Sequence, residues 1–206
     1  MPRYSKEDFD RYFDYGVFAP KRLIYIGSPE YTGDNDGESG TDHLMAEKAI
    51  KGITYLDTIS DKPIVIIMDN PGGHFTHGMA IYDTIKSSRC HATIIAIGNC
   101  SSMGSIIFQA ADLRVISQNC EFYIHDGTVS FEGNAKDFAE WSKKSELDRK
   151  KTYEIYKEKM IQKIPTITIK QIERLCSLDR FYNAQETVDS GLADEILNNI
   201  NSYIKE

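Results

Sequence analysis

Two short segments composed of apolar residues and a single threonine constrain the fold of this chain more than any other feature. They are Ile64–Met68, with the sequence IVIIM, and Thr93–Ile97, with the sequence TIIAI. Strands without polar alternation are typical of the centre of a parallel sheet, where helices cover both faces. The stretch between them, Gly78–Ile85, is predicted to be a helix, and strands that alternate with helices indicate βαβ units. The sequence therefore predicts an α/β fold with a largely parallel sheet.

The rest of the chain continues this alternation. Residues 22–26 predict another buried strand, and the apolar spacing in residues 44–59 is that of a helix. Further helices are predicted over 102–111, 136–161, 169–176 and 184–190, and further strands over 113–116 and 122–125. No composition shift or repeat divides the chain, so residues 1–206 are expected to form one domain. A segment rich in Gly, Asp and Ser, residues 28–42, predicts a mobile loop.

Composition and charge argue against several classes of protein. The net charge of −7 is unfavourable for a nucleic-acid binder, whose binding surface is basic. No apolar run approaches the roughly 20 residues of a membrane span, and the charged start of the chain lacks the apolar core of a secretory signal. The four cysteines show no metal-ligand spacing and are expected to be reduced and buried. They are Cys90, Cys100, Cys120 and Cys176. These features predict a cytoplasmic protein without a nucleic-acid or membrane partner.

Two turns that follow the buried strands carry residues suited to chemistry. The first, Asp69–Gly73, contains Pro-Gly-Gly, whose backbone N–H groups are unobstructed at the carboxyl edge of a parallel sheet, where ligands bind in such folds. The second, Gly98–Gly104, places Ser102 at a strand-to-helix junction, where a helix N-terminus favours a developing oxyanion. Taken alone, the first turn also fits a tight connection, and capping preference favours N-capping by Ser101 or Ser102 in the second.

A catalytic serine needs a base, and His125 is the best placed of the five histidines. It follows the apolar residues 122–124 and precedes Asp126 and Gly127, so it lies at the end of a strand beside a loop. A metal site is not predicted. His74 and His77 lack an obvious third ligand, and the acidic residues of the 28–42 loop lack the spacing and flanking helices of an EF-hand.

Together these segments resemble the ClpP peptidase family. The matching stretches, in the family's order along the chain, are NPGGHFTHGMAIYDT at 70–84, GNCSSMGSIIFQAA at 98–111, YIH at 123–125 and DRFYNAQETVDSGLAD at 179–194. The resemblance extends from about residue 22 to residue 196. It implies the ClpP/crotonase fold, which is built from repeated ββα-type units and has a long protruding handle helix. Residues 134–162 occupy the place of that handle helix.

The resemblance also implies a serine endopeptidase that forms an acyl-enzyme. Carried over by position, Ser102 is the nucleophile, His125 the general base and Asp179 the acid that orients the histidine. The backbone N–H groups of Gly73 and Met103 are the expected oxyanion hole. These roles meet the requirements of acyl transfer, since the base must reach the hydroxyl, the acid must fix the tautomer of the base and the donors must await the tetrahedral intermediate.

Members of this family are barrels that enclose their active sites and receive substrates from an ATP-driven AAA+ unfoldase. The resemblance therefore implies a homo-oligomer, either a heptameric ring or a tetradecamer, that degrades peptides and unfolded proteins. The chain has no P-loop motif, as expected of a subunit that binds no cofactor and uses ATP only through a separate partner. Residues 126–133 lack the Gln-Pro and the glycine-rich strand usual in the family, so the chain is expected to be a divergent member.

Three other functions remain open from the sequence. A crotonase-like acyl-CoA enzyme shares the fold and the paired N–H donors but does not need Ser102, His125 and Asp179 together. A serine–lysine peptidase is less compatible, because no lysine occurs between Lys86 and Lys136. A non-catalytic ring subunit would assemble in the same way, although such subunits typically lack a triad residue.

Overall fold

The computed structural model describes residues 4–28 and 40–204, and the elements below lie within those ranges. The helices are α1 (Lys6–Tyr15), α2 (His43–Ile59), α3 (Phe75–Ser87), α4 (Met103–Phe108), α5 (Ala135–Met160), α6 (Ile169–Ser177) and α7 (Ala184–Asp189). The strands are β1 (Val17–Phe18), β2 (Leu23–Ile26), β3 (Ile64–Asn70), β4 (Ala92–Ser101), β5 (Leu113–Ile116), β6 (Glu121–Ile124), β7 (Arg180–Tyr182) and β8 (Glu195–Ile196). Most of the loop predicted over 28–42, namely residues 29–39, lies outside the described residues.

One mixed sheet organises these elements. Its main path runs in the order β1-β2-β3-β4-β5-β8, and β1 is antiparallel to β2 while the other neighbours on this path are parallel. Off the path, β6 is parallel to β4, and β7 is antiparallel to β6. The predicted α/β class with a largely parallel sheet is confirmed.

The first halves of the central strands β3 and β4 are almost entirely apolar because both of their faces are covered. Ile64, Ile66 and Met68 of β3 are fully buried in a large core shared with α2 and α3. Val65 and Ile67 face a second, smaller core that the C-terminal segment covers. Full burial of such a side chain contributes about 1.5–3 kcal/mol. Because the side chains on both faces of β3 gain this stabilisation, the strand is most stable in the middle of the sheet.

Strand β4 is longer than predicted and changes neighbours along its length. Residues 93–96 pair with β5, whereas residues 99–101 pair with β6. Gly98, which lies between the two parts, has a φ of 58° and allows the strand to bend there. The prediction of a turn from residue 98 onward is therefore wrong, because pairing with β6 overrides the loop-like composition of these small polar residues.

The long helix predicted over 136–161 is present as α5, which has 26 residues. Asn134 caps its start by accepting hydrogen bonds from the backbone N–H groups of Lys136 and Asp137. Its buried residues all lie toward its C-terminal end and are Thr152, Tyr153, Ile155, Tyr156 and Met160. The N-terminal part is therefore exposed in the described chain, and ion pairs spaced four residues apart, such as Lys150–Glu146, support it.

Candidate active site

The carboxyl ends of three strands meet at one edge of the sheet. Strand β3 leads into the Pro-Gly-Gly turn, β4 leads to Ser102, and β6 ends directly before His125. Asp179 directly precedes β7, whose first residue pairs with the last residue of β6. The topology thus brings together the residues that the sequence predicted for this site, although they are distant along the chain.

Ser102 occupies a strained turn between β4 and α4. Its φ of 52° and ψ of −120° are unusual for a residue that is not glycine. Such conformations cost about 1–3 kcal/mol and persist only where the surroundings hold them. The Ser102 N–H donates a hydrogen bond of 2.9 Å to the carbonyl of Tyr123 in β6, which fixes the turn against the neighbouring strand.

His125 is in direct contact with this serine. The distance between His125 Nε2 and Ser102 Oγ is 2.7 Å, that of a hydrogen bond. Burial lowers the pKa of His125 below its ordinary value, and the charges of Asp179 and Asp126 oppose that shift. A neutral imidazole can accept the serine proton through Nε2, so the pair has the arrangement of a nucleophile and its base.

Asp179 is less closely engaged. Its Oδ1 lies 3.9 Å from His125 Nδ1, beyond the length of a hydrogen bond, and its side chain is 67% exposed. Burial, and then the charge of Asp179 and a hydrogen bond to it, raise the pKa of Tyr123. The carboxylate is therefore near both His125 and the Tyr123 hydroxyl. Closing the gap to His125 requires a movement of about 1 Å.

The Pro-Gly-Gly turn packs directly against Ser102. Gly72 has a φ of 111°, and a Cβ added to it would lie 2.6 Å from Ser102 Cβ. The fully buried Asn70 holds the turn, because its Oδ1 accepts hydrogen bonds from the Gly72 N–H at 2.9 Å and from Thr41 Oγ1 at 3.0 Å. Thr41 also forms a parallel backbone bridge with Gly73.

Two backbone N–H groups beside Ser102 are available to a ligand. Within residues 4–28 and 40–204, the N–H groups of Gly73 and Met103 donate no hydrogen bond. Gly73 has a φ of 134°, a conformation open to glycine, and Met103 is the first residue of α4. Unpaired backbone donors at such a position suit an oxyanion that develops on a bound substrate.

Ser102 and His125 open into a cleft of about 680 Å³. Phe75, Met103 and Ile106 give it an apolar side. Polar residues of α5 line another side, including Thr152 and the ion-paired Lys144 and Asp148. Residues 126–130, where the family's usual Gln-Pro is absent, form part of its rim.

His74 lines this cleft, and His77 and His43 lie beside it. The ring centroids of His74 and His77 are 5.5 Å apart, and those of His43 and His77 are 6.3 Å apart. In the part of the chain that the structure describes, no group of three or more metal-ligating side chains is arranged to hold a metal ion. Among the same residues, no helix is long and apolar enough to cross a membrane.

The cysteines have a structural role. All four are buried, and none forms a disulfide. Burial raises the pKa of Cys100 well above its usual range and that of Cys120 to about 12. These thiols therefore stay protonated and behave as small apolar side chains.

Three residues that shape the site were missed from the sequence. Asn70 and Thr41 fix the Pro-Gly-Gly turn, and Tyr123 stacks between His125 and Phe181, with ring centroids 4.7 and 4.4 Å away. The position of Asn70, an amide at the end of an apolar strand, could have indicated its role. The other two depend on contacts between distant segments, for which the sequence carries no local signal.

Fold and site together define an α/β protein with a serine–histidine pair at the carboxyl edge of its sheet. The family model for Clp protease matches residues 38–200, and the chain therefore belongs to the Clp protease family. It is similar to the ATP-dependent Clp protease proteolytic subunit 1 of Streptomyces coelicolor, with 28% identity over 185 residues that cover 89% of this chain and 77% of the relative. The prediction of a divergent ClpP-like member is confirmed.

Proposed function

We propose that this protein is a serine endopeptidase in which Ser102, His125 and Asp179 form the catalytic triad. The observation that carries this proposal is the 2.7 Å contact between His125 Nε2 and Ser102 Oγ at a strained turn. A hydroxyl merely capping a helix would not need a half-buried imidazole of lowered pKa within hydrogen-bond distance. Family membership supports the peptidase over a crotonase-like enzyme.

The acylation step follows from the positions of these groups. Ser102 Oγ attacks the carbonyl carbon of the scissile peptide bond, and His125 Nε2 takes the serine proton. The carbonyl oxygen becomes an oxyanion, which the N–H groups of Gly73 and Met103 stabilise. When the intermediate collapses, the C–N bond breaks, and His125 gives its proton to the leaving amine.

Deacylation reverses these roles with water as the nucleophile. His125 takes a proton from water, the hydroxide adds to the acyl carbon, and Ser102 leaves with the proton returned by His125. Asp179 stabilises the imidazolium in both steps. It does so fully only after it approaches His125 from the present 3.9 Å, which substrate binding or assembly would bring about.

The proposal extends to the setting in which the enzyme works. We infer a self-compartmentalised homo-oligomer that hydrolyses peptides and unfolded proteins supplied by an AAA+ unfoldase. The name of the Streptomyces coelicolor relative, a proteolytic subunit of an ATP-dependent protease, supports this inference. So does the exposed N-terminal part of α5, which is available for contacts with another subunit.

Fluorophosphonate labelling tests the catalytic proposal. The reagent is added to the full-length protein, and the modified peptide is identified by mass spectrometry. We expect one adduct on Ser102 that is lost in Ser102→Ala. Ser101→Ala is the matched control, because Ser101 lies next to Ser102 but donates its hydroxyl to the Glu121 carbonyl, and it should leave the labelling intact.

A second candidate function is a non-catalytic subunit. The exposure of Asp179 and its 3.9 Å separation from His125 favour it, since a triad with a detached acid is poorly activated. Folded, assembled protein that takes up no label and cleaves no peptide would support this candidate. Labelling of Ser102 accompanied by peptide hydrolysis would exclude it.

A further inference from the structure

A buried chain of hydroxyl groups connects α5 to the backbone of Ser102. Ser105, in the first turn of α4, places its Oγ 2.6 Å from the carbonyl oxygen of Ser102. The same Oγ lies 2.7 Å from the hydroxyl of Tyr156 in α5. Ser105 and Tyr156 are 0% and 1% exposed, so water does not compete for these contacts.

The direction of the two hydrogen bonds follows from the available protons. The carbonyl of Ser102 can only accept, so the single proton of Ser105 Oγ points to it. Ser105 Oγ must therefore accept the proton of Tyr156. Burial raises the pKa of Tyr156 well above its usual range, and this hydroxyl remains a donor at any working pH.

The chain of hydroxyl groups ends at Ser102, whose backbone conformation is strained. The carbonyl of Ser102 also accepts from the N–H groups of Ser105 at 3.1 Å and Ile106 at 3.4 Å, and both contacts are longer than the one with Ser105 Oγ. A strained φ persists only where neighbouring groups hold it in place. The shortest of the contacts that hold the Ser102 carbonyl is thus polarised by a tyrosine from another element.

We propose that Tyr156 and Ser105 are positioning residues that hold Ser102 in its strained conformation, an inference that rests on the proposed role of Ser102 as the nucleophile. Neither residue touches the cleft side of Ser102 Oγ. Tyr156 and Ser105 act through the backbone of Ser102. The orientation of the Ser102 hydroxyl therefore depends on the position of α5. The N-terminal part of the same helix lines the cleft, so one element contacts the substrate site and supports the nucleophile.

The test compares Tyr156→Phe with Tyr182→Phe in the full-length protein. Tyr182 is the matched control, because it is also buried and its hydroxyl has no hydrogen-bond partner among the described residues. We expect Tyr156→Phe to lower the rate of Ser102 phosphonylation about tenfold, the effect of one hydrogen bond, while the final stoichiometry of label stays unchanged. A loss of folded protein would instead lower the stoichiometry. Tyr182→Phe should change neither.

Amide hydrogen exchange gives a readout that does not depend on activity. In Tyr156→Phe, the peptide that contains residues 102–106 should exchange about tenfold faster, with no such change in Tyr182→Phe. Equal exchange in wild type and Tyr156→Phe would overturn the positioning role even if Ser102 is an active nucleophile. Faster exchange in Tyr156→Phe, together with a wild type that takes up no label, would sustain the structural link and reject the proposed catalysis.

Ser105→Ala keeps the inference testable if Tyr156→Phe does not fold. It removes the middle hydroxyl and should slow phosphonylation by a similar factor. Where both single variants fold, their effects should not add in the double variant, because both substitutions break the same chain of hydrogen bonds. Additive effects would show that the two hydroxyls act independently and would contradict the proposal.

Discussion

The surroundings of His125 determine how the proposed activity should vary with pH. Burial places its pKa below the ordinary value of 6.5, and only the neutral imidazole can accept the proton of Ser102. The rate of Ser102 phosphonylation should therefore be constant near neutral pH and fall as the pH drops through a value below about 6.5. A series of labelling rates between about pH 4.5 and about pH 8 measures this midpoint. A midpoint above 7 would contradict the buried setting of the imidazole.

The charge of Asp179 raises the pKa of His125, so its removal should move this midpoint in a defined direction. In Asp179→Asn the midpoint should shift to lower pH, and the plateau rate should fall by a factor of about 10²–10⁴ because the imidazolium loses its counterion. Asp126→Asn is the control, since Asp126 also raises the pKa of His125 but accepts a hydrogen bond from Tyr153 at 2.5 Å. It should shift the midpoint the same way with a smaller loss of rate. If both variants lose rate equally, Asp179 has no special role.

At the level of elements, a side chain at Gly72, in the turn between β3 and α3, should lower the rate of Ser102 phosphonylation. An alanine there needs a positive φ and places its Cβ 2.6 Å from Ser102 Cβ, so the serine must move. A displacement of about 1 Å lowers a catalytic rate about 100-fold, and we expect that loss of phosphonylation rate in Gly72→Ala.

Gly127→Ala separates this clash from backbone strain. Gly127 lines the cleft and has a φ of 75°, but a Cβ added to it meets no atom within 4 Å. Its replacement should cost about 1 kcal/mol of stability, measured by thermal unfolding, and leave most of the labelling rate. If Gly72→Ala and Gly127→Ala lose the labelling rate equally, the loss comes from backbone strain and not from the contact with Ser102.

The elements that sequence patterns predicted well are those with their own periodicity. The apolar run of β3 and the apolar spacing in α2 reflect burial along the whole length of each element, whereas in α5 only the C-terminal part is buried. Strands β1, β7 and β8 were not predicted, since two or three residues carry no periodic signal and form strands only because a neighbour pairs with them. α3 begins at Phe75, before the predicted start at 78, because the Pro-Gly-Gly turn ends sooner than its composition suggests.

For the whole molecule, the exposed aromatic side chains of α5 lead to a prediction about assembly. Phe138 and Trp141 are 58% and 41% exposed, and both rings lie within 6.0 Å of Phe131, measured between centroids. Exposed apolar clusters mark interaction surfaces, and we expect a second copy of the chain to cover this one. The double substitution Phe138→Lys and Trp141→Lys should reduce the particle mass in sedimentation velocity at least about twofold, as for a two-ring assembly that separates into single rings.

Leu147→Lys is the control for this experiment. Leu147 is 65% exposed on the same helix but lies six residues, more than one helical turn, beyond Trp141, so its replacement should leave the particle mass unchanged. A wild-type protein that sediments as a monomer and cleaves peptides at full rate would contradict the closed compartment.

The positions of the site residues could be predicted from the sequence, whereas their contacts could not. Strand ends and small-residue turns indicated the segments that contain Ser102, His125 and Gly73, because ligands bind at the carboxyl edge of a parallel sheet, and the resemblance to the ClpP family selected these residues. The 3.9 Å gap at Asp179 and the hydroxyl chain through Ser105 depend on how α5 and β7 pack. Packing at this level arises from many weak contacts at once, and no local pattern encodes it.

The bend of β4 at Gly98 divides the residues of the candidate site into two groups. The stretch 99–101 of β4 forms a small unit with β6 and β7, and this unit carries Ser102, His125 and Asp179. Gly73 depends on β3, which meets that unit through the pairing of Asn70 with Cys100. A rotation about Gly98 would move this unit, together with the Met103 N–H, relative to Gly72 and the Gly73 N–H. Such a movement would weaken the proposed oxyanion hole at one of its two donors, while the contact between Ser102 and His125 is kept.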